Sequence, residues 1–541
     1  MSKVISFVFV VSLLKLCLCS EEHTFYVALD SDGGPYIVSQ EPQSWVVEAT
    51  YIIKIEEEGF TYLTLTSNPD YPDSVQAYSA GYLEGFMTYK QINQSFINQY
   101  VEDIIPTGDV KNFLVDNFNY VMKMIEKNLN DTYWYQAGLL VYQIKGMEDG
   151  YLGLPAKVSQ TIDPMGLFWI YNWYLTELTD IQMKYARGKS TMGSGSCSAM
   201  IRYTGDDLIA AHVTWSDYST MLRTLKKYNL KFKMNPTSND NIPGHQILES
   251  SYPGIVHSVD DYYVTNEKLV IIETTNDIQN DTLYDFIVPN GSVPYFLRVS
   301  LANRLSKSGL DWTKYFAMYN SGTYNNQWMV VDYKKFAPHT PIGPGTLYVL
   351  EQMPGFVVTK DMSESLELDL NAWVSYNIPA FTETQEKNNY TAYINEYGPF
   401  FSHDHCPRAN IFRRELSKVV DLNSSIALMR YNDYQNDPYA KANCTPLAYS
   451  AENGISARCE LNPTTQNCKI AAEGSRCHGA TDLKMVGMSL VKSMQMIAIS
   501  GPTHEQQEPF DWSKQNGTAC SNRLHEGHPT TFAFDPVLVS L

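Results

Sequence analysis

The feature that most constrains this 541-residue chain is a flexible segment that ends directly at a β-hairpin. Residues 190–196 read S-T-M-G-S-G-S, and a Gly/Ser-rich run without apolar periodicity is typical of an exposed loop. Residues 199–203 and 208–215 are short β-prone runs on either side of T-G-D-D, which predicts a hairpin. Cys197 stands where the loop meets the first strand. Cleavage of the loop would therefore leave this cysteine at a new N-terminus on a rigid strand.

A cysteine at such an N-terminus can be both nucleophile and base. Its thiol attacks, and its own α-amino group, with an ordinary pKa of about 7.7–8.0, accepts the proton. That is the chemistry of an N-terminal-nucleophile hydrolase. The alternative on spacing alone is a structural cysteine buried in a strand. The loop also holds four hydroxyl side chains that no strand fixes in place: Ser190, Thr191, Ser194 and Ser196.

Cysteine usage singles out the same residue. Two of the nine cysteines, Cys17 and Cys19, fall in the N-terminal signal. Six others lie in the C-terminal quarter and could form three disulfides in any of about 15 pairings: Cys406, Cys444, Cys459, Cys468, Cys477 and Cys520. Cys197 is left over, far from the rest. In an oxidising compartment an unpaired cysteine favours a reactive thiol.

The chain begins with a predicted secretory signal over residues 1–20. Lys3 supplies the positive charge, residues 4–14 the apolar core and residues 12–20 the approach to a cleavage site. The apolar core is too short to span a bilayer, and no later stretch reaches about 18 apolar residues. A net charge of −19 without a Lys/Arg cluster argues against nucleic acid as a partner.

Sequons follow the signal in a number that predicts a glycoprotein: Asn93, Asn130, Asn280, Asn290, Asn389, Asn423, Asn443 and Asn516. With the signal they predict a secreted or lysosomal protein.

Apolar periodicity predicts the main elements. Strands are predicted in residues 24–66, 262–264, 269–275, 328–333 and 347–353, and helices in residues 73–100, 110–129, 132–145, 163–187, 221–228, 294–305 and 481–499. Small residues such as Gly81 and Gly85 allow the first helix to pack closely against a neighbour. Helices and strands around one antiparallel core indicate an α+β layered fold.

The loop also divides the chain. Residues 21–189 form a small N-terminal fragment, residues 190–196 the exposed activation loop, and residues 197–541 a large fragment that ends in a cysteine-bearing region, 400–541.

Short blocks run in order along the chain from Cys197 onward: C-S-A-M-I-R-Y (197–203), A-A-H-V-T-W (210–215), S-S-Y-P-G (250–254), E-T-T (273–275), A-N-R-L (302–305), Y-N-S-G-T-Y-N-N-Q-W-M-V-V-D-Y (319–333), E-Q-M-P-G (351–355), S-Y-N-I-P (375–379), P-R-A-N-I-F-R-R (407–414), M-R-Y-N-D (429–433), I-S-A-R (455–458) and M-S-L (488–490). Together these blocks resemble the phospholipase B-like family.

The resemblance implies a four-layer αββα sandwich of the N-terminal-nucleophile hydrolase type. The precursor would be cut before Cys197, and its two fragments would stay associated. The implied activity is removal of fatty acyl chains from glycerophospholipids at a membrane or micelle surface, and no cofactor is implied.

The resemblance also suggests roles for individual residues. Cys197 would be the nucleophile, passing through a thioester. Thr275 and Asn325 are candidates to stabilise the oxyanion, although T-Y-N-N around Asn325 is also turn-like. His212 would tune the thiol or be a satisfied core histidine, and Trp215 would shape the acyl pocket or pack in the core. On an extended strand these two side chains face opposite ways.

Arg413, beside Arg414, is the candidate for an arginine near the active site, and the alternative is a solvated or phosphate-contacting arginine. The run His403-Asp404-His405-Cys406 resembles a metal cluster, but no second ligand pair has the usual spacing and Cys406 is more simply a disulfide partner. We therefore predict no metal.

Two other functions stay open. The same nucleophile could act as an amidase on N-acyl lipids or peptides, and the scaffold could belong to a non-catalytic lipid-binding glycoprotein. Serine esterases with a G-x-S-x-G elbow, P-loop enzymes and dinucleotide-binding enzymes are not supported, because their motifs do not occur.

Overall fold

The computed structural model describes residues 22–100, 105–186, 197–368 and 370–541. The predicted signal at residues 1–20 and the predicted activation loop at residues 190–196 lie outside the described residues.

The strands and α-helices have the following bounds. The strands are β1 (Glu22–Leu29), β2 (Pro35–Val38), β3 (Val47–Lys54), β4 (Phe60–Ser67), β5 (Cys197–Tyr203), β6 (Leu208–Asp217), β7 (Arg223–Asn229), β8 (Gln246–Ser251), β9 (Tyr262–Thr265), β10 (Leu269–Thr275), β11 (Asn326–Asp332), β12 (Leu347–Met353), β13 (Phe356–Asp361), β14 (Ala372–Ser375), β15 (Cys444–Thr445), β16 (Asn467–Cys468), β17 (His478–Ala480), β18 (Asp482–Val486), β19 (Met496–Ser500), β20 (Phe510–Asp511), β21 (Thr531–Phe532) and β22 (Val537–Val539). The helices are α1 (Ile55–Glu58), α2 (Asp73–Met87), α3 (Tyr89–Asn98), α4 (Gly108–Lys127), α5 (Thr132–Leu152), α6 (Leu167–Tyr174), α7 (Leu178–Ala186), α8 (Tyr295–Leu305), α9 (Gly309–Ala317), α10 (Thr382–Lys387), α11 (Tyr390–Tyr397), α12 (Pro407–Glu415), α13 (Leu422–Met429) and α14 (Met488–Lys492).

Two large sheets carry the fold. One has eleven strands in the order β13-β12-β11-β10-β9-β8-β7-β4-β3-β1-β2, and the other runs β14-β5-β6-β18-β19-β22, with β17 paired to β6. Their strands pair antiparallel except β4 and β7, which run parallel from Phe60 opposite Arg223 to Thr66 opposite Asn229. The α+β class is confirmed. The antiparallel strands divide between two sheets, which share an apolar core.

Alternating side chains on the strands fill different cores. On β10, Ile271 packs with the helices that include α2, α5 and α8, whereas Ile272 packs in the core shared by the two sheets. On β5, Ile201 faces that shared core, whereas Met200 packs with α12 and α13 on the other side. The two faces of β5 therefore pack in different cores.

Helices α2 and α5 pack backbone to backbone. A Cβ on Gly81 would stand 1.8 Å from the carbonyl oxygen of Gln143, and a Cβ on Gly146 would stand 2.0 Å from that of Tyr78. The close packing predicted from the small residues of this segment is confirmed. The predicted helix over residues 73–100 is interrupted at Thr88, which separates α2 from α3.

Three element predictions are wrong in type or length. Residues 221–228, predicted as a helix, mostly form β7, and residues 481–499 form β18, the short α14 and β19. Strands β7 and β18 bury charged side chains, so the polar residues along either strand do not mark an exposed face. The helix predicted over residues 163–187 is two short helices, α6 and α7.

Disulfides are fewer than the three predicted for the C-terminal cysteines. Cys444 bonds Cys468 and Cys477 bonds Cys520, while Cys406 and Cys459 are buried free thiols. The interpretation of Cys406 as a disulfide partner is therefore wrong. Its Sγ accepts a hydrogen bond from the backbone N–H of Ala409 and caps α12, and the Cys459 thiol donates to Glu452 Oε2 at 2.8 Å.

The predicted glycosylation sites lie at the surface. Seven of the sequon asparagines are exposed, and Asn280 is partly exposed. Within the described part of the chain, no helix is both long enough and apolar enough to cross a bilayer.

Replacing Gly81 with alanine tests the close helix contact. We expect Gly81→Ala to lower the free energy of unfolding by more than about 2 kcal/mol, because the new methyl group meets a backbone carbonyl that cannot rotate away. The matched control is Gly138→Ala on α5, where the Cβ meets only the ends of side chains. Urea unfolding should find the control within about 1 kcal/mol of the parent. Equal effects of the two variants would contradict the packing described.

Candidate active site around Cys197

Cys197 is the first residue of β5 and lies at the wall of a cavity of about 350 Å³. Its side chain is 3% exposed. Other lining residues come from both sides of the predicted cleavage site and include Asp180, Trp215, Thr275, Asn276, Asp277, Tyr324 and Asn325. The cysteine is thus buried but adjoins open space that a substrate can occupy.

Two side chains hold the backbone of Cys197. Its N–H donates to Asn377 Oδ1 at 3.2 Å, and its carbonyl oxygen accepts from Arg408 Nη1 at 2.5 Å. Asn377 Nδ2 donates in turn to the carbonyl oxygen of Thr275 at 2.8 Å, and Arg408 Nη2 donates to that of Tyr376 at 2.7 Å. The position of residue 197 is therefore fixed by groups beyond its own strand pairing.

The thiol of Cys197 faces a buried carboxyl. Its Sγ lies 3.9 Å from Glu273 Oε1, which also accepts from the hydroxyl of Tyr324 at 3.2 Å. Burial raises the pKa of the thiol well above its ordinary value, and Glu273 raises it further, while the positive charge of Lys484 acts in the opposite direction. In the uncut chain the thiol is protonated and needs a base to become a nucleophile.

His212 is close to the thiol but stays neutral. Its Nε2 lies 2.8 Å from the carbonyl oxygen of Glu273, so Nε2 carries the proton and Nδ1, which has no hydrogen-bond partner, is the acceptor. Burial lowers the pKa of His212 well below its ordinary value. A cationic role for this histidine is not supported.

A buried ionic network lies beneath the thiol. Arg223 contacts the carboxylates of Asp260 and Asp482, the latter at 2.8 Å, and Lys484 Nζ lies 2.8 Å from Asp482 Oδ1. Burial lowers the pKa of Lys484 to about 8. Asp482 also accepts from the backbone N–H of Thr214, the residue opposite Cys197 in the β5–β6 pair. The network thereby ties the nucleophile's strand to its neighbours.

The candidate residues for stabilising the oxyanion differ in whether they have a hydrogen-bond donor without a partner. Asn325 lines the cavity, but its Nδ2 donates to the carbonyl oxygen of Gly322 at 2.9 Å and only its Oδ1 lacks a partner. Asn276 is 2% exposed, and neither its Nδ2 nor its Oδ1 has a partner. Thr275, the last residue of β10, also lines the cavity. Asn276 therefore holds an amide donor without a partner in the cavity that Cys197 also lines.

Trp215 and Arg408 lie at the site, whereas Arg413 does not. Trp215 lines the cavity, and the guanidinium of Arg408 lies 4.3 Å from its ring centroid. Arg413 is exposed and donates to Asn410 and to the carbonyl oxygen of Asp404. The structure thus places Arg408, not Arg413, against Cys197, because five positions along α12 turn the side chain by about 140°.

Among the described residues, two clusters have the composition of metal sites. Cys197, His212 and Glu273 form one, and Glu452, Cys459 and His478 form the other, with the potential ligand atoms of each cluster within 4.8 Å of one another. In the second cluster, Arg476 Nη2 lies 2.7 Å from Glu452 Oε2, so its positive charge opposes a cation there. The His403–Cys406 run is not part of either cluster.

Comparison with known proteins shows the family of this chain. A family model described as Phospholipase B matches residues 47–539. The chain belongs to the phospholipase B family. A relative from Bos taurus named "Putative phospholipase B-like 2" is 40% identical over 501 residues, which cover 90% of this chain and 84% of the relative. "Phospholipase B-like protein B" of Dictyostelium discoideum is 35% identical over 513 residues, covering 91% of this chain and 85% of the relative.

Four site residues of this phospholipase B family member escaped the sequence analysis: Glu273, Asn276, Asn377 and Arg408. Three of them lie inside blocks that resemble the family, E-T-T, S-Y-N-I-P and P-R-A-N-I-F-R-R, and Asn276 directly follows the first. Membership of a block was the available signal. It could not rank the residues within a block, since their distances from Cys197 depend on the fold.

Buried acids and bases around the site predict how stability depends on pH. Burial raises the pKa of several carboxyls to about 7 or 8, namely Glu177, Asp180, Glu249, Asp277 and Glu473. Burial lowers the pKa of three histidines to about 3, namely His257, His478 and His528. As pH rises, the carboxyls lower the free energy of unfolding and the histidines raise it.

We expect the protein to lose stability between pH 6.5 and pH 8. The folded chain keeps carboxyl protons that the unfolded chain has lost, so this contribution falls as pH rises from about 4 to the raised pKa values, whereas the neutral histidines add stability only up to about pH 6.5. The free energy of unfolding should fall by an amount on the order of 2 kcal/mol, measured as a lower Tm at constant ionic strength. Asp277→Asn should reduce this slope, and Asp206→Asn, an exposed control, should not. A Tm that rises over this range would contradict the protonation states assigned.

Proposed function

We propose that this protein is a phospholipase B-like hydrolase that removes fatty acyl chains from glycerophospholipids, with Cys197 as an N-terminal nucleophile. Proteolysis of the bond between Ser196 and Cys197 would free the α-amine. The observation that carries this proposal is the position of Cys197 at the start of a strand and at the wall of a cavity, with its backbone nitrogen directed at Asn377. The relatives named phospholipase B-like support the substrate class.

Cleavage turns the backbone nitrogen of Cys197 into the base that the buried thiol needs. Asn377 Oδ1 already accepts the N–H of residue 197, so it would orient the new amine. The amine takes the thiol proton, and Sγ forms a bond to the acyl carbon. The ester C–O bond then breaks, and the protonated amine gives its proton to the leaving alcohol. Water hydrolyses the thioester and restores the thiol.

The tetrahedral oxyanion requires donors that are in place before the reaction. Asn276 Nδ2 is buried at the cavity wall without a partner, which supports it as one donor. Thr275 lies beside it. Asn325 could donate only after its amide gives up its bond to Gly322. Trp215 would line the acyl pocket, and Arg408 would hold the cysteine carbonyl.

Extensive contacts support continued association of the two fragments after cleavage. Strand β4 pairs with β7 over seven residue pairs. Glu177 accepts from the backbone N–H of Tyr295 at 2.8 Å, and Asp180 accepts from that of Tyr324 at 2.8 Å. Residues 21–189 and 197–541 thus share one sheet and buried hydrogen bonds.

The layers and the surface support the remaining parts of the proposal. Helices, the large sheet, the small sheet and the C-terminal helices follow one another across three cores, as in the αββα sandwich of N-terminal-nucleophile hydrolases. Two disulfides fit an oxidising environment, and the sequons are accessible to glycosylation. We infer a secreted or lysosomal glycoprotein.

Substitution of Cys197 tests the nucleophile directly. Purified parent protein should yield a large fragment whose N-terminal residue is Cys197, found by mass spectrometry, and should release fatty acid from phosphatidylcholine. Cys197→Ala should reduce that release by at least about 10³-fold, since no other group forms the thioester. An N-lauroyl amide assayed in parallel tests the amidase alternative. A fully active parent with an intact peptide bond before Cys197 would refute the mechanism.

Two arginines on α12 form a matched pair for a second test. Arg408→Ala should lower kcat/KM by at least about 10-fold, because it removes the group that binds the carbonyl oxygen of Cys197 and packs on Trp215. Arg413→Ala removes an exposed guanidinium from the same helix and should change kcat/KM by less than about twofold. The opposite order of effects would assign the active-site arginine to Arg413.

A further inference from the structure

The cavity beside Cys197 has an unusual charge for a site that would bind a phosphate ester. Among the described residues, three carboxyl groups line it, from Asp180, Asp217 and Asp277. Burial raises the pKa of Asp180 and Asp277 to about 7, so these two groups are negatively charged at pH 8. Among the described lining residues none is Lys or Arg, and burial lowers the pKa of the lining His478 to about 3, so it is neutral. The described side chains of the cavity wall therefore offer no cation to a phosphate.

Asp180 and Asp277 are the lining carboxyl groups that have no ion-pair partner among the described residues, although the more distant charge of Arg476 acts on Asp277. Asp217 is paired with Arg523, whose Nη2 lies 2.7 Å from Asp217 Oδ2. Within the described parts of the chain, no Lys, Arg or His forms an ion pair with Asp180 or Asp277. Asp180 accepts one hydrogen bond, from the backbone N–H of Tyr324. The two carboxyls also interact, since the charge of Asp180 contributes to the raised pKa of Asp277.

An independent observation points to a polar ligand in this cavity. Asn276 is 2% exposed and lines the cavity, yet both atoms of its amide are without a partner. Buried amide groups are almost always hydrogen-bonded in folded proteins. Aromatic side chains from Trp215, Tyr284 and Tyr324 complete the wall. Carboxylates with aromatic faces are the environment that binds alkylammonium groups.

We propose that the cavity selects substrates that carry an ammonium group close to the scissile acyl bond, held between Asp180 and Asp277. This inference rests on the proposed function and narrows its substrate class. Within glycerophospholipids it favours choline and ethanolamine headgroups over anionic ones. A cationic N-acyl amine would offer the same chemistry. One carboxylate comes from each side of the predicted cleavage site, so both fragments would contribute to recognition.

Paired substrates test the selectivity of the matured protein. In neutral-detergent micelles at pH 8, phosphatidylcholine should be cleaved with a kcat/KM at least about 10-fold higher than phosphatidylglycerol with the same acyl chains. The double variant Asp180→Asn/Asp277→Asn should bring this ratio close to one, while asparagine can still accept from Tyr324. Asp206→Asn, in the exposed turn between β5 and β6, should keep the ratio of the parent.

A second pair separates the two sources of the ammonium group. N-lauroyl-1,4-diaminobutane and the uncharged N-lauroylbutylamine share an amide and an acyl chain. A preference for the charged amide without cleavage of either lipid would support ammonium recognition and reject the phospholipase proposal. Absence of a preference for the ammonium member in both pairs, or a preference that survives in the double variant, would overturn the inference.

A binding measurement keeps the test independent of turnover. Cys197→Ala protein should bind phosphocholine more tightly than glycerol 3-phosphate in isothermal titration calorimetry. The added substitutions Asp180→Asn/Asp277→Asn should abolish that difference, with circular dichroism showing an unchanged fold. If no variant cleaves any substrate, the difference in affinity between phosphocholine and glycerol 3-phosphate decides the question. Tighter binding of phosphocholine supports the ammonium site, and equal binding overturns it.

Discussion

The two hydrogen bonds that hold the backbone of Cys197 are the constraint on which the site depends. Asn377 takes its N–H and Arg408 takes its carbonyl oxygen. A residue at the end of a strand frays unless such groups restrain it, and a cut before it would free it further. The restraints come from residues 180 and 211 positions further along the chain. The C-terminal part of the chain must therefore fold onto β5 before the thiol has a defined position.

The same region balances buried charges of both signs. Glu273 and Asp261 are carboxyls whose pKa values burial raises, while Lys484 and Arg223 contact Asp482. Removing charges from water is costly unless each finds a partner. The result is a thiol kept protonated until a base arrives, next to a cavity in which the carboxyl groups of Asp180 and Asp277 form no ion pair with any described residue. The arrangement separates the reacting atoms from the groups that we propose recognise the substrate.

The sequence predicted some elements correctly and others wrongly, and buried charged side chains account for the error in β7. The hairpin of β5 and β6 follows β-prone runs on either side of T-G-D-D, and the predicted bounds of β12 agree with the structure. Strand β7 was predicted as a helix because Arg223 and Lys226 break its apolar alternation. Both side chains are buried, where Asp260 and Glu84 neutralise them. A prediction from apolar periodicity assumes that charged residues are exposed. In β7 Arg223 and Lys226 are buried, because partners distant in sequence neutralise their charges.

By itself the sequence determined that a strand begins at Cys197 and that the ordered blocks indicate the family, but its prediction of Cys197 as the single unpaired cysteine was wrong. Those properties are local or compositional, so they need no knowledge of contacts. Only the tertiary structure decided that Arg408 and not Arg413 meets Cys197, that Cys406 stays a thiol, and that Asp180 and Asp277 share a cavity. Each of these depends on how helices are rotated and on which distant segments the sheets bring together.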